Sequence, residues 1–105
     1  MFQPHTFSRT RALFADFALS FGDADHVLVT DIYRSREAFD KTISAEQIVE
    51  HMRARAQHPD ARYVPTLSEV VQTLLTEVKS GDVIITLGAG DGNTVGEQLL
   101  EELRK

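Results

Sequence analysis

The sequence predicts an α/β fold, a three-layer sandwich built on a mostly parallel sheet. Along its 105 residues, short apolar runs alternate with amphipathic helical patterns, which is typical of parallel sheets with helices between the strands. Two helix starts carry capping-box signatures, and a Gly-rich turn joins the last strand to the last helix. With 42% apolar and 26% charged residues, the composition is that of an ordinary globular domain with one core.

Composition also excludes several classes of function. A net charge of −5 argues against a protein that binds the phosphates of nucleic acid. The absence of cysteine removes disulfides, thiolate metal sites and cysteine nucleophiles. No apolar run is long enough to span a bilayer, and the amino end does not look like a secretory signal, so we expect a cytoplasmic protein.

The first helix is predicted to begin at Ser8 as its N-cap and to end near Gly22. The run Val27–Val29 follows. Its apolar residues are consecutive, which predicts a strand covered on both faces, with Asp31 near its carboxyl end. The buried face of the helix is predicted from residues at helical spacing: Thr10, Leu13, Phe14, Phe17, Ala18 and Phe21.

The second helix has a fuller start signal. Ser44 and Gln47 form a capping-box pair, while Ile43 and Ile48 occupy the two positions of a hydrophobic staple. The predicted buried stripe of this helix consists of Ala45, Ile48, Val49, Met52 and Ala56.

A short strand is predicted at residues 62–64, and Pro65 limits its length. Thr66 and Glu69 then make a second capping box, and the third helix ends before Gly81. Its continuous apolar face is Leu67, Val70, Val71, Leu74, Leu75 and Val78.

The last unit is predicted as a buried strand at residues 83–87, a Gly-rich turn at 88–92, and a helix capped by Thr94 with Glu97 at its third position. The pattern also requires a strand that leads into the first helix, and only Phe2 and Gln3 can supply it. We therefore expect residues 1–105 to be one domain that lacks its first helix and most of its first strand.

Five polar residues are predicted to follow strands, where open α/β sheets bind ligands. His5 and Arg9 follow the first strand, Asp31 and Tyr33 the second, and Asp91 lies in the Gly-rich turn. Arg9 in a first helical turn can hold a carboxylate or phosphate through its planar fork. Each residue also has a structural alternative: His5 and Asp91 could satisfy local backbone, Arg9 could be a surface charge, and the role of Asp31 is equally open.

Other motifs are weaker or absent. Gly88 and Gly90 resemble the first two glycines of a dinucleotide fingerprint, but the sixth position is Asn93. No phosphate loop of the G-x-x-x-x-G-K-[ST] type occurs, and the histidines lack metal-site spacing, so we expect this chain to hold neither ATP nor a metal by itself. The histidines are His5, His26, His51 and His58. A mixed-charge cluster is interpreted as solvated: Arg34, Arg36, Glu37, Asp40 and Lys41.

Three motifs carry a family resemblance. FQPHTFSRTR at residues 2–11, TDIY at 30–33 and GAGD at 88–91 resemble, in order and spacing, the C-terminal domain of UDP-N-acetylmuramate–L-alanine ligases of the Mur ligase family. The resemblance implies a Rossmann-like domain that closes over a site shared with an N-terminal domain holding the UDP sugar and a central domain holding ATP and Mg²⁺. In such an enzyme ATP phosphorylates the sugar's carboxylate, and the amine of L-alanine attacks the acyl phosphate during peptidoglycan synthesis.

By this resemblance, His5 and Arg9 face the amino acid and the acyl phosphate, and Asp31 and Tyr33 also belong to the substrate-binding set. Gly88, Gly90 and Asp91 form a nucleotide- or loop-associated set. Two departures stand out: Thr6 replaces a residue that is often basic, and a D-Y-x-H-x-P stretch that opens the family's domain upstream of FQPH is not in this sequence.

Two further functions stay open on sequence grounds. A related ligase that recycles murein peptides would share the fold and accept a larger amine donor. A stand-alone α/β module that binds a small ligand or a protein would use the same polar residues without catalysis. In all of these cases we expect the chain by itself to be catalytically silent.

Overall fold

The computed structural model describes residues 1–54 and 60–105. The helices and strands in this part of the chain are α1 (Phe7–Ala12), α2 (Phe14–Leu19), β1 (Val27–Val29), α3 (Ala45–Ala54), β2 (Ala61–Tyr63), α4 (Leu67–Glu77) and α5 (Thr94–Leu103). Ala56, which was predicted to belong to the buried stripe of the second helix, and His58 lie at positions 55–59, outside the described residues.

A small parallel sheet organises the chain, which confirms the predicted α/β class. β1 and β2 pair in parallel, with Leu28 opposite Arg62. Phe2 extends the pairing through parallel bridges to Val29 on one side and Leu87 on the other. Four segments therefore lie side by side in the order β2, β1, the segment at Phe2, and the segment ending at Leu87. Numbered by their position along the chain, they are the third, second, first and fourth segments.

Both faces of β1 are covered, as the consecutive apolar run predicts. On one face its side chains join the helices α2 and α3, and on the other they join α4 and α5. The first cluster contains Phe2, Ala18, Val27, Val29, Ala45, Ile48, Val49, Met52 and Ala61. The second cluster contains Leu28, Val70, Val71 and Val95.

The two capping boxes form as predicted. Ser44 N–H donates to Gln47 Oε1 at 3.2 Å, and Gln47 N–H donates back to Ser44 Oγ at 3.4 Å. Thr66 and Glu69 make the same reciprocal pair at the start of α4, at 3.3 and 3.2 Å. Each box satisfies amides that the helix itself leaves free, so α3 and α4 begin where the sequence indicates.

The start of the first helix was predicted wrongly. Thr6, not Ser8, is the N-cap of α1, and its side chain accepts a hydrogen bond from Arg9 N–H. Ser8 lies inside the first turn, where its hydroxyl donates to Glu37. The single predicted helix is also divided at Leu13, which is 42% exposed rather than buried. α2 then ends at Leu19, ahead of Gly22.

The segment at residues 83–87 is another correction, because it is neither buried nor a regular strand. Val83 is 84% exposed and Ile85 62% exposed. The segment is an extended edge whose hydrogen bonds run to Met1 and Gln3, and no described element covers its outer side. A consecutive apolar run predicts burial on both faces only where both faces have a partner.

The start of the last helix also differs from the prediction by one position. Asn93 occupies the cap position of α5 without a side-chain cap bond, and Thr94 is the first helical residue. The amides of Thr94 and Val95 instead donate to the turn carbonyls of Asp91 and Gly92, both at 3.1 Å. Within the described residues, no helix is both long and apolar enough to cross a membrane.

Candidate functional site

The candidate site lies where the strand order reverses. The segment at Phe2 stands between β1 and the segment ending at Leu87, so the first and fourth segments of the chain are neighbours. Parallel sheets bind ligands outside the carboxyl ends of their strands at such a reversal. The chain after Phe2 contains His5, and the chain after Leu87 is the Gly-rich turn at 88–92. Both lie at this edge of the sheet.

His5 and Tyr33 form a stacked pair at this edge. Their ring centroids are 5.6 Å apart with an interplanar angle of 16°. Backbone bonds on both sides hold the pair, because Tyr33 N–H donates to Pro4 O at 2.8 Å and Thr6 N–H donates to Tyr33 O at 2.7 Å. The Nδ1 atom of His5 is buried and has no hydrogen-bond partner among the described residues.

Gly90 lies against Tyr33, the second member of this stacked pair. A Cβ atom at position 90 would come within 2.9 Å of Tyr33 Cγ and Cδ2, closer than side chains tolerate. Glycine is therefore required for the turn to approach the tyrosine ring. The structure thus brings together His5, Tyr33 and Gly90, which the sequence placed in three separate motifs.

Asp91 is held to the first segment through Gln3. The Gln3 Nε2 atom donates to Asp91 Oδ1 at 2.9 Å, across 88 positions of the chain. Gln3 is only 6% exposed, and its Oε1 atom is buried without a partner among the described residues. Gly88 packs directly on this side chain, since a Cβ there would lie 3.0 Å from Gln3 Oε1. Sequence reasoning missed Gln3 as a site residue and used it only as strand.

Asp31 is occupied by a different partner. Tyr63 at the end of β2 donates its phenolic hydrogen bond to Asp31. Burial, together with this bond to a carboxylate, raises the pKa of Tyr63. The structure therefore favours a structural role for Asp31, joining the ends of β1 and β2, and does not bring its carboxylate to His5.

Arg9 lies on the first turn of α1, four residues after His5, as the sequence predicts. Its side chain is exposed and makes no hydrogen bond or ion pair with another described residue. Its backbone amide donates to Thr6 Oγ1 at 3.3 Å, which places it directly after the cap. The guanidinium is therefore free to bind an anion.

The mixed-charge cluster after Tyr33 is more ordered than predicted. Glu37 accepts hydrogen bonds from the amides of Phe7 and Ser8 at 2.7 and 3.1 Å. Asp40 forms an ion pair with Arg11 at 2.7 Å. Bonds from the Thr42 hydroxyl and amide, followed by the bond from Arg11, lower the pKa of Asp40 to about 2. These acidic residues are attached to α1 rather than merely solvated.

Two open clefts on the described residues lie away from the strand ends. One cleft of about 510 Å³ runs between α5 and residues 78–84, and another of about 400 Å³ borders α1 and the segment around Glu37. Neither is lined by His5, Tyr33 or Asp91. The buried unpaired atoms of His5 and Gln3 lie at the strand ends and not in these clefts. The strand-end surface around His5, Tyr33 and Asp91 therefore lies outside both of these clefts.

The described residues offer no group of three or more His, Asp or Glu side chains arranged to hold a metal ion. No step of the chemistry is therefore assigned to a metal held by these residues.

Comparison with known proteins identifies the family. The family model for the Mur ligase glutamate ligase domain matches residues 2–90. This chain belongs to the Mur ligase family. The matched region of this Mur ligase domain contains both residues of the stacked pair, Gln3, Gly90 and the start of α1, and it ends one residue before Asp91.

Curated relatives of the Mur ligase domain agree with this assignment. UDP-N-acetylmuramate–L-alanine ligases from Caldanaerobacter subterraneus and Geobacter sulfurreducens are 41% identical over 105 residues and 45% identical over 104 residues. The ligase of the same name from Acaryochloris marina is 42% identical over 100 residues. The alignments cover 100%, 99% and 95% of this chain and 22%, 22% and 20% of the relatives. The chain thus spans about a fifth of the length of these relatives.

Proposed function

We propose that this chain is the C-terminal domain of an ATP-dependent ligase that joins L-alanine to UDP-N-acetylmuramate during peptidoglycan synthesis. The family match and relatives named for this reaction support the proposal. The observation that carries it is the meeting of His5, Tyr33 and Gly90 at the strand-order reversal, with the exposed Arg9 four residues after His5 in the chain.

The surface at the strand ends has polar groups that a small charged substrate could pair with. His5 Nδ1 and Gln3 Oε1 are buried without partners among the described residues, and buried polar atoms are normally satisfied. A ligand or an ordered water that paired with either atom would remove its deficit. An amino acid offers both an ammonium donor and a carboxylate for such pairing.

In the proposed reaction, ATP phosphorylates the lactyl carboxylate of the sugar, and the L-alanine amine displaces phosphate from that acyl phosphate. Arg9 would hold negative charge at the reacting end through its planar fork. His5, fixed by its stacking on Tyr33, would orient the amino acid. Closure of this surface over the other domains would exclude water from the acyl phosphate.

ATP, Mg²⁺ and the UDP sugar would bind mainly to the other two domains of the complete enzyme. Neither a phosphate loop in the sequence nor a metal-binding cluster among the described residues is present to grip a triphosphate here. We therefore propose that the chain is inactive by itself and supplies one wall of a shared site.

We also propose that the complete domain is a three-layer sandwich in which a preceding strand and helix cover residues 83–87. The exposed side chains of Val83, Ile85 and Leu87 support this proposal, since clustered exposed apolar residues mark contact surfaces. Amide hydrogen exchange of residues 83–87 should be slower in the complete protein than in this chain. Equal exchange rates in the two would contradict the proposed cover.

An activity assay tests the function directly. The complete ligase that carries this domain should release phosphate from ATP only when UDP-N-acetylmuramate and L-alanine are both present. If a murein tripeptide replaced L-alanine with equal or better efficiency, the recycling function would be favoured instead.

Isothermal titration of this chain alone supplies the second arm of that test. ATP with magnesium, L-alanine and UDP-N-acetylmuramate should each give no measurable heat of binding to the isolated chain. Tight binding of any one of them would support a stand-alone binding module and contradict the shared-site proposal.

A further inference from the structure

A segment outside the three family motifs holds the start of α1. We name residues 34–42 the clamp segment. Within it, Glu37 Oε1 accepts hydrogen bonds from the amides of Phe7 at 2.7 Å and Ser8 at 3.1 Å, and Glu37 Oε2 accepts one from the Ser8 hydroxyl. One carboxylate thus binds three donors in the first turn of the helix.

These bonds complete the hydrogen bonding of the helix start. A helix leaves its first four amides without an internal partner. In α1, Glu37 satisfies the amides of Phe7 and Ser8, Thr6 Oγ1 accepts from Arg9 N–H at 3.3 Å, and the amide of the cap residue Thr6 donates to Tyr33 O at 2.7 Å. Removal of Glu37 would leave half of this set without a protein acceptor.

Thr6 adopts a backbone conformation that needs such support. Its φ of 63° and ψ of 151° lie in a region that is essentially restricted to glycine. For a β-branched residue this conformation is strained and persists only where its neighbours fix it. Thr6 is fixed on one side by its amide bond to Tyr33 O at 2.7 Å. On the other side it is fixed by α1 itself, which Glu37 holds.

We infer that Glu37 is a positioning residue that fixes the strained turn at Thr6 and so sets the relative directions of His5 and Arg9. The inference rests on the proposed ligase function, because it assigns those two side chains to the amino-acid end of the site. Thr6 lies directly after His5, and Arg9 lies directly after Ser8. Rotation of the backbone at Thr6 would therefore separate the two side chains that must act together.

Electrostatics favours the same role. Hydrogen bonds from the Ser8 side chain and backbone lower the pKa of Glu37, which means that these bonds favour its charged form. An ionised carboxylate is also favoured at the positive end of a helix. The ion pair between Arg11 and Asp40 joins the other end of α1 to the same clamp segment.

Kinetics of the complete ligase would test the inference. Glu37→Ala should raise the KM for L-alanine about tenfold and lower kcat/KM on the order of 100-fold, since a displacement of about 1 Å can cost that much. The KM for UDP-N-acetylmuramate should not change. Glu37→Gln, whose amide oxygen still accepts from Phe7 and Ser8, should recover most of the loss. Glu50→Ala, at an exposed glutamate on α3, is the matched control and should behave as wild type.

Hydrogen exchange in this chain supplies a readout that is independent of catalysis. The amides of Phe7 and Ser8 should exchange faster in Glu37→Ala, while those of α4 should not change. If the wild-type ligase showed no turnover that depends on L-alanine, the proposed function would be overturned. If the wild-type ligase were active and the Glu37→Ala variant had an unchanged KM for L-alanine, only the positioning role would be overturned.

Discussion

At the scale of single residues, the candidate site depends on close contacts between distant parts of the chain. Tyr33 contacts both His5 and Gly90, and Gln3 contacts both Asp91 and Gly88. The glycines are needed because any side chain would occupy space that Tyr33 or Gln3 already fills. The Gly-rich turn therefore acts here by allowing close approach, in addition to any direct contact with a ligand.

Gly90→Ala tests this contact. The new Cβ would clash with the base of the Tyr33 ring, so the ring must shift and its stacking on His5 must change. We expect a loss of about 1–3 kcal/mol in the free energy of unfolding, typical of overpacking. Urea denaturation measures this change, and nuclear Overhauser effects between His5 and Tyr33 report the stacking.

Gly96→Ala on α5 is the matched control, because nothing lies within 4 Å of a Cβ at that position. Alanine should stabilise the helix by up to about 1 kcal/mol relative to glycine. A Gly90→Ala variant as stable as wild type, with the stacking unchanged, would disprove the close approach.

At the scale of helices and strands, local signals were sufficient for α3 and α4. Their capping boxes lie within four consecutive residues, so the sequence alone predicts where both helices begin. The start of α1 could not be predicted in this way, because Ser8 is diverted to Glu37, 29 positions away in the chain. Local patterns fail where a distant residue competes for the capping side chain.

The link between α1 and the clamp segment predicts a dependence of stability on pH. Asp40 has its pKa lowered to about 2 from a usual 3.8, first by the bonds from Thr42 and then by Arg11. Because the pKa is lower in the folded state, this carboxylate stabilises the fold above about pH 3.8, and its contribution disappears as the pH falls towards 2.

The difference in unfolding free energy between wild type and Asp40→Asn should therefore be constant near neutral pH and shrink through that acidic range. Urea denaturation at a series of pH values measures it. A difference that stayed the same down to pH 2 would show that Asp40 is not held as described.

At the scale of the whole molecule, the α/β class and the parallel sheet could be predicted, but the strand order could not. Alternating patterns reveal which segments are strands, whereas parallel pairing joins segments far apart in the chain and leaves no local mark. The bridges of Phe2 to Val29 and Leu87 place the first segment beside the fourth, and this arrangement defines the site. The exposed segment at 83–87 was predicted as buried because its hydrophobicity does not reveal which of its faces is covered.

The structure shows which of the predicted site residues lie together, and their roles in binding stay predictions. His5, Tyr33 and Gly90 were each predicted from their motifs, and the structure shows that they meet. Asp31, predicted as a substrate contact, accepts a hydrogen bond from Tyr63 in the structure. Gln3 and Glu37 were missed because a buried amide and a surface carboxylate give no signal until their partners are known.

The most direct test of the account is turnover by the complete ligase with Arg9→Ala. Arg9 is exposed and has no side-chain partner among the described residues, so its removal should change stability by less than about 0.5 kcal/mol. The account predicts a loss of turnover on the order of 100-fold or more, because negative charge at the reacting centre would lose a positioned cation. Arg104→Ala, at the exposed end of α5, should leave turnover unchanged. An Arg9→Ala enzyme that turned over like wild type would contradict the assignment of this edge to the active site.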